Sequence, residues 1–93
     1  MLRCDVLSGL KPLPPRPRRC EFDYGIGFEM GRKGRARAVC ASDSVYTPKG
    51  RTLGYGSTWK RGGFVCTSKQ VGLRCRNLVG HGFFESRGRS YRF

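Results

Sequence analysis

GFVCTSKQVGLRCRNLVGHGFFESRGRSYRF, residues 63–93, is the stretch that decides the fold. Phe64-Val65-Cys66-Thr67-Ser68 and Val71-Gly72-Leu73-Arg74-Cys75-Arg76 read as antiparallel partners. If Cys66 faces Cys75, Thr67 faces Arg74 and Ser68 faces Leu73. Lys69-Gln70-Val71-Gly72 is then the connection, with Gly72 free to take a positive φ. Opposed Cα atoms in an antiparallel pair lie about 4.5 or 5.5 Å apart, both within disulfide reach. Such a short ring contributes roughly 2–3 kcal/mol of entropic stabilisation. Phe83-Phe84-Glu85-Ser86-Arg87 and Ser90-Tyr91-Arg92-Phe93 follow as further strand candidates.

Working back toward the N-terminus, the same alphabet of short elements recurs. Residues 2–6 form a strand candidate. Residues 20–30, CEFDYGIGFEM, place Phe22, Tyr24, Ile26 and Phe28 at alternate positions, the period of a strand. Gly31-Arg32-Lys33-Gly34 makes a turn, and residues 35–41 return. Residues 52–59 are an irregular strand or a packed loop, and Lys60-Arg61-Gly62-Gly63 is a turn. Residues 8–19 carry prolines at 12, 14, 15 and 17, which exclude a helix or central strand and favour an extended surface crossover. Pro12, Pro15 and Arg16 also fit an SH3-type ligand, but a crossover is the simpler reading. No window carries a 3.6-residue apolar stripe. The expectation is an all-β single domain over residues 1–93, with about six or seven short antiparallel strands supported by disulfides.

Composition bounds the partners. A chain of 93 residues buries roughly 60–65% of the surface its unfolded form exposes, so the core is thin. Its aromatic rings must fill much of it, which assigns Phe22, Phe28, Phe64 and Phe83 to the interior. Nineteen Lys and Arg against six Asp and Glu give a formal charge of +13. That balance attracts polyanions such as nucleic acid, anionic headgroups or acidic polysaccharide. The candidate contacts are Arg32, Lys33, Arg35 and Arg37 on one hairpin and Lys60 and Arg61 on another. The plainer reading of such runs is a solvated hairpin end. Tyr24, Phe28, Tyr46, Tyr55, Trp59, Tyr91 and Phe93 lie among the cations, a mix that stacks bases or sugars when exposed. No segment is long enough for a membrane-spanning helix, and no cofactor is implied.

Five cysteines, at spacings of 16, 20, 26 and 9 residues, include no close pair of the kind that holds zinc. Small exported domains supplement thin cores with disulfides, which points to a periplasmic or extracellular location. The odd count leaves one thiol free, bonded to another chain, or deprived of its partner. Met1-Leu2-Arg3-Cys4-Asp5-Val6 already reads as a strand, with no apolar leader before it. Together these suggest a trimmed or mis-started chain. An unpaired Cys4 has no helix N-terminus or histidine nearby in sequence to lower its pKa.

Several features together resemble a family of small exported bacterial domains of uncharacterised function. They are the Arg-Cys-Asp-Val strand, the proline-rich crossover to Cys20, Tyr24-Gly25, Cys-Ala-Ser-Asp-Ser-Val at 40–45 and Leu-Gly-Tyr-Gly-Ser-Thr-Trp at 53–59. The order closes with Phe-Val-Cys, Gly-Leu-Arg-Cys-Arg-Asn and Gly-His-Gly-Phe-Phe-Glu-Ser-Arg, then Tyr91 and Phe93. The resemblance spans nearly the whole chain. It implies an additional N-terminal strand and cysteine, absent here, and therefore a Cys4 without its partner. With Cys66–Cys75 paired, Cys20–Cys40 closes the two ends of the 20–41 hairpin; Cys4–Cys20 with Cys40 free is the alternative. The resemblance brings no catalytic residues. It implies an uncharacterised structural or binding module.

A catalytic alternative uses the end of the chain. On a single strand over 81–87, His81, Phe83, Glu85 and Arg87 share one face. A histidine, a carboxylate and an arginine suit acid–base cleavage of RNA, as in a small ribonuclease-like hydrolase. Ser42, Asp43 and Ser44 lack the turn that presents a serine nucleophile. Three readings therefore stand in order: a binding or structural module without catalysis, a polyanion or nucleic-acid binder, and a ribonuclease-like hydrolase.

Overall fold

The computed structural model describes residues 1–42 and 53–93. Among them are eight strands and no helix. These are β1 (Leu2–Asp5), β2 (Tyr24–Met30), β3 (Arg37–Cys40), β4 (Thr58–Arg61), β5 (Phe64–Lys69), β6 (Gly72–Arg76), β7 (Gly82–Glu85) and β8 (Ser90–Arg92). They make two antiparallel sheets, one in the order β1-β2-β3 and one running β4-β5-β6-β7-β8. The all-β, disulfide-supported architecture read from the sequence is the one observed.

The β5–β6 hairpin has the inferred register: Cys66 opposes Cys75, Thr67 opposes Arg74 and Ser68 opposes Leu73. Lys69 and Gly72 also pair, so the connection is the two residues Gln70 and Val71 rather than four. The Cys66–Cys75 bond closes the pair across a Cα separation of 4.0 Å. Cys20 bonds Cys40 across 5.8 Å, tying the start of the β2–β3 hairpin to its end. Cys4 is a free thiol.

Two boundaries differ from the sequence expectation. Residues 58–61 form a regular strand, because Arg61 pairs with Phe64 and the turn contracts to Gly62-Gly63. Both glycines have positive φ, 59° and 90°, as a two-residue hairpin turn requires. Residues 20–23 stay out of the ladder. The Cys20 amide bonds the Pro17 carbonyl and the Arg16 guanidinium donates to the Cys20 and Phe22 carbonyls, so the chain turns there before β2 begins. Phe22 is consequently 56% exposed, not core.

The two sheets share one core. Phe28 and Met30 of β2 join Phe64, Cys66, Cys75 and Phe83 of the second sheet, with Leu10 and Ala36 beside them. Phe28 and Phe83 meet across the interface with ring centroids 5.5 Å apart. The interior positions of Phe28, Phe64 and Phe83 follow from the thin core. The crossover laces the sheets together. Leu10 is buried and its amide bonds the Gly25 carbonyl, while Lys11 and Ser90 exchange backbone and side-chain hydrogen bonds.

Candidate polyanion-binding surface

Asn77 organises one end of the molecule. It is buried to 1% exposure, yet all its polar capacity is used. Its amide donates to the carbonyls of Gly31 (3.0 Å) and Gly34 (2.7 Å), and its oxygen accepts from the Val79 and His81 amides. The Leu78 amide bonds the Arg32 carbonyl, and the Leu78 side chain lies over Gly63. The loop after β6 thus touches both basic turns. It brings exposed Arg32, Lys33 and Arg35 to the same end as Lys60 and Arg61. The sequence held a signal for this, an isolated Asn between a strand and a glycine turn, but such a residue serves equally as a turn former.

Arg37 differs from the other five cations. It lies on β3 and its Nε donates to Glu29 at 3.0 Å, a cross-strand pair set by the Glu29–Arg37 register. Lys60 and Arg61 are strand residues rather than a turn, so alternation points them to opposite faces.

The second sheet has a strongly polarised pair of faces. Phe64, Cys66, Ser68, Cys75, Phe83, Glu85 and Ser90 are buried, and the residues between them look outward. Across that outer face Thr67, Arg74, Phe84 and Tyr91 stand in register. Phe84 stacks on Tyr91 at 5.2 Å with planes 20° apart, and Tyr91 neighbours Phe93 at 6.5 Å. The Arg74 guanidinium sits 4.0 Å from the centre of the Phe93 ring, and that of Arg89 lies 5.2 Å from Tyr91. Glycines beneath make room for the rings. A Cβ on Gly82 would fall 2.6 Å from the Phe93 ring, and one on Gly72 would fall 2.6 Å from Phe84. From residue 53 onward the chain carries Lys60, Arg61, Lys69, Arg74, Arg76, Arg87, Arg89 and Arg92 against one acid, Glu85, which is buried. Trp59 and Tyr55 are exposed at 37% and 74%.

The residues of the catalytic alternative are not presented together. β7 ends at Glu85, and Arg87 lies in the turn that follows, where Ser86 bonds Arg89. His81 is half-buried and precedes β7. Glu85 faces inward at 5% exposure, toward β1, and one of its carboxylate oxygens has no hydrogen-bond partner. Burial, reinforced by the charge of Asp5, pushes its carboxyl up to about 8, although the Phe28 amide opposes this by donating to it. Burial likewise pushes the neighbouring Cys4 thiol up to about 12, with Glu85 and Asp5 adding to the effect. Cys4 is therefore a protonated thiol at neutral pH, not an activated nucleophile. Asp5 itself is held by Arg3 at 3.0 Å. Asp43, Ser44 and Tyr46 lie outside the described residues, while Ser42 is exposed. Among the described residues no cluster of three or more His, Cys, Asp or Glu side chains is arranged to hold a metal ion, and no helix is long and apolar enough to cross a membrane.

Residues 2–93 match the model of a family of unknown function (DUF6636). No curated protein and no solved structure matches the chain.

Proposed function

The chain belongs to that family of unknown function, and we propose that it is a binding module for polyanions, without catalysis of its own. One observation carries the reading. Buried Asn77 and its loop join the basic 31–34 turn to the hairpin end that carries Lys60 and Arg61, at one end of the molecule. Beside them, among the described residues, the outward positions of the second sheet's strands carry cations and no acid. Such a surface exchanges condensed counterions for Lys and Arg when it meets a charged polymer. The inward-facing carboxyl of Glu85 argues against the ribonuclease-like alternative.

We place the protein in an oxidising, exported setting, periplasmic or extracellular, in keeping with the two disulfides. The resemblance of its motifs to exported bacterial domains supports the same setting. The test is association with heparin, duplex DNA and single-stranded RNA over a range of salt. Affinity falling steeply with salt is expected for all three. Charge reversal at Arg32, Lys33 and Arg35 should reduce the slope by about one for each phosphate no longer held. Binding that is absent at low salt, or insensitive to salt, would remove the proposal.

A further inference from the structure

We infer that the outward face of β6–β8 is a stacking platform for the bases of single-stranded nucleic acid. This rests on the polyanion reading and names which polyanion the site prefers. Phe84 and Tyr91 form a stacked pair on adjacent strands, and Tyr91 keeps 40% of its surface in solvent. Arg74 and Arg89 already lie against Phe93 and Tyr91, the arrangement in which a guanidinium presents a flat cationic plane next to a ring. Rings and guanidinium planes in one layer are a surface on which planar bases extend an existing stack.

Arg74 and Arg76 on this face, and Lys60 beside it on β4, are donors without acceptor atoms in their side chains, and no carboxylate stands among the outward residues of the five strands. Neutral sugars need acceptors for their hydroxyls, which this layer does not supply from charged side chains. A phosphodiester supplies only acceptors and one negative charge per residue, the complement of what is present. A duplex satisfies the charge but hides the faces of its bases inside the helix. A sulfated polysaccharide satisfies the charge but has no aromatic plane. Only a single strand meets both halves of the surface.

The geometry also explains why the aromatic residues are displayed at all. Buried rings elsewhere in this chain face the shared core. These three lie on the opposite side of the sheet, in the spaces left by Gly72 and Gly82.

Fluorescence anisotropy with an end-labelled oligo(dT) or oligo(U), a duplex of equal length and labelled heparin tests this at fixed salt. Wild-type protein is expected to bind the single strand most tightly. Tyr91→Ala should weaken that complex about tenfold, the loss of roughly one stacked base, and leave duplex and heparin affinity unchanged. Tyr91→Phe should retain the preference. Thermal melting of each variant confirms that the fold is kept, and Tyr91→Leu replaces the alanine variant if it is not. Equal affinity for all three polymers, or an equal loss for all three in Tyr91→Ala, overturns the platform while leaving the polyanion reading intact. Failure of wild-type protein to bind any of the three overturns both.

Discussion

The two sheets use their arginines differently. In the three-stranded sheet, Arg3 is bound to Asp5 and Arg37 to Glu29, each at 3.0 Å, so these cations are partly neutralised where they stand. In the five-stranded sheet the one acid, Glu85, is turned into the core, and cations such as Arg74 lie against rings. Net charge alone does not distinguish these uses. The lesson is that a +13 chain holds a structural share and an available share of its positive charge, and register decides which residue falls in which. Of the two, the Arg37–Glu29 pair stands at the surface, where such pairs contribute little to stability, about 0–1 kcal/mol. Their larger consequence here is to withdraw charge from the surface.

The contrast between core-facing and outward rings is the first thing to break. Phe83→Ala removes a fully buried ring that packs on Phe28 and should cost roughly 3–5 kcal/mol in chemical unfolding. Phe22→Ala removes an exposed ring and should change stability by less than about 0.5 kcal/mol. Similar losses in the two variants would mean that the thin core is arranged otherwise.

Next in size is the junction that joins the basic turns. Asn77→Ala strands two carbonyls and two amides and should cost about 2–3 kcal/mol. It should also weaken heparin binding under conditions where the variant remains folded, because Arg32 and Arg61 lose their common support. An Asn77→Ala protein with full affinity would separate the architecture of this end from its binding.

Glu85 sharpens the comparison through pH. Its folded-state carboxyl titrates near 8 against about 4.5 when unfolded, so the folded protein binds the extra proton between those values. The stability linked to this proton is fully present below pH 4.5 and is lost as pH rises through about 8. Glu85→Gln should flatten that decline in urea midpoints taken across the window. A wild-type midpoint that rises with pH through the same range would contradict the buried, protonated acid.

The smallest effect separates neighbouring cations on one hairpin. Arg35→Ala should lower the salt slope of polyanion binding by up to about one, while Arg37→Ala should lower it less, because Glu29 already holds that guanidinium. A larger loss at Arg37 would reverse the assignment.

Much of the fold is legible in the sequence because its signals are local. The register of β5 on β6 follows from two cysteines and a short turn, and the crossover follows from four prolines. Phe22 departs from its expected core position for a reason that period two cannot carry: Arg16 caps the carbonyls of Cys20 and Phe22 and holds the segment off the sheet. The site is less legible. Five of the six expected cations do lie at one end, but what gathers them there is Asn77, whose partners are 43 and 46 residues away in sequence. The face bearing Arg74, Phe84 and Tyr91 depends on pairing β6, β7 and β8 in register, which local patterns do not encode. The catalytic trio likewise depends on a strand extending to residue 87, and β7 stops at Glu85.

The central claim is that the available share of the charge binds polyanions. It is tested most directly by the dependence of log K on log salt for wild-type protein and heparin. A straight line with a slope of about −3 or steeper is expected, reflecting several cations engaged together. A slope near zero would contradict it.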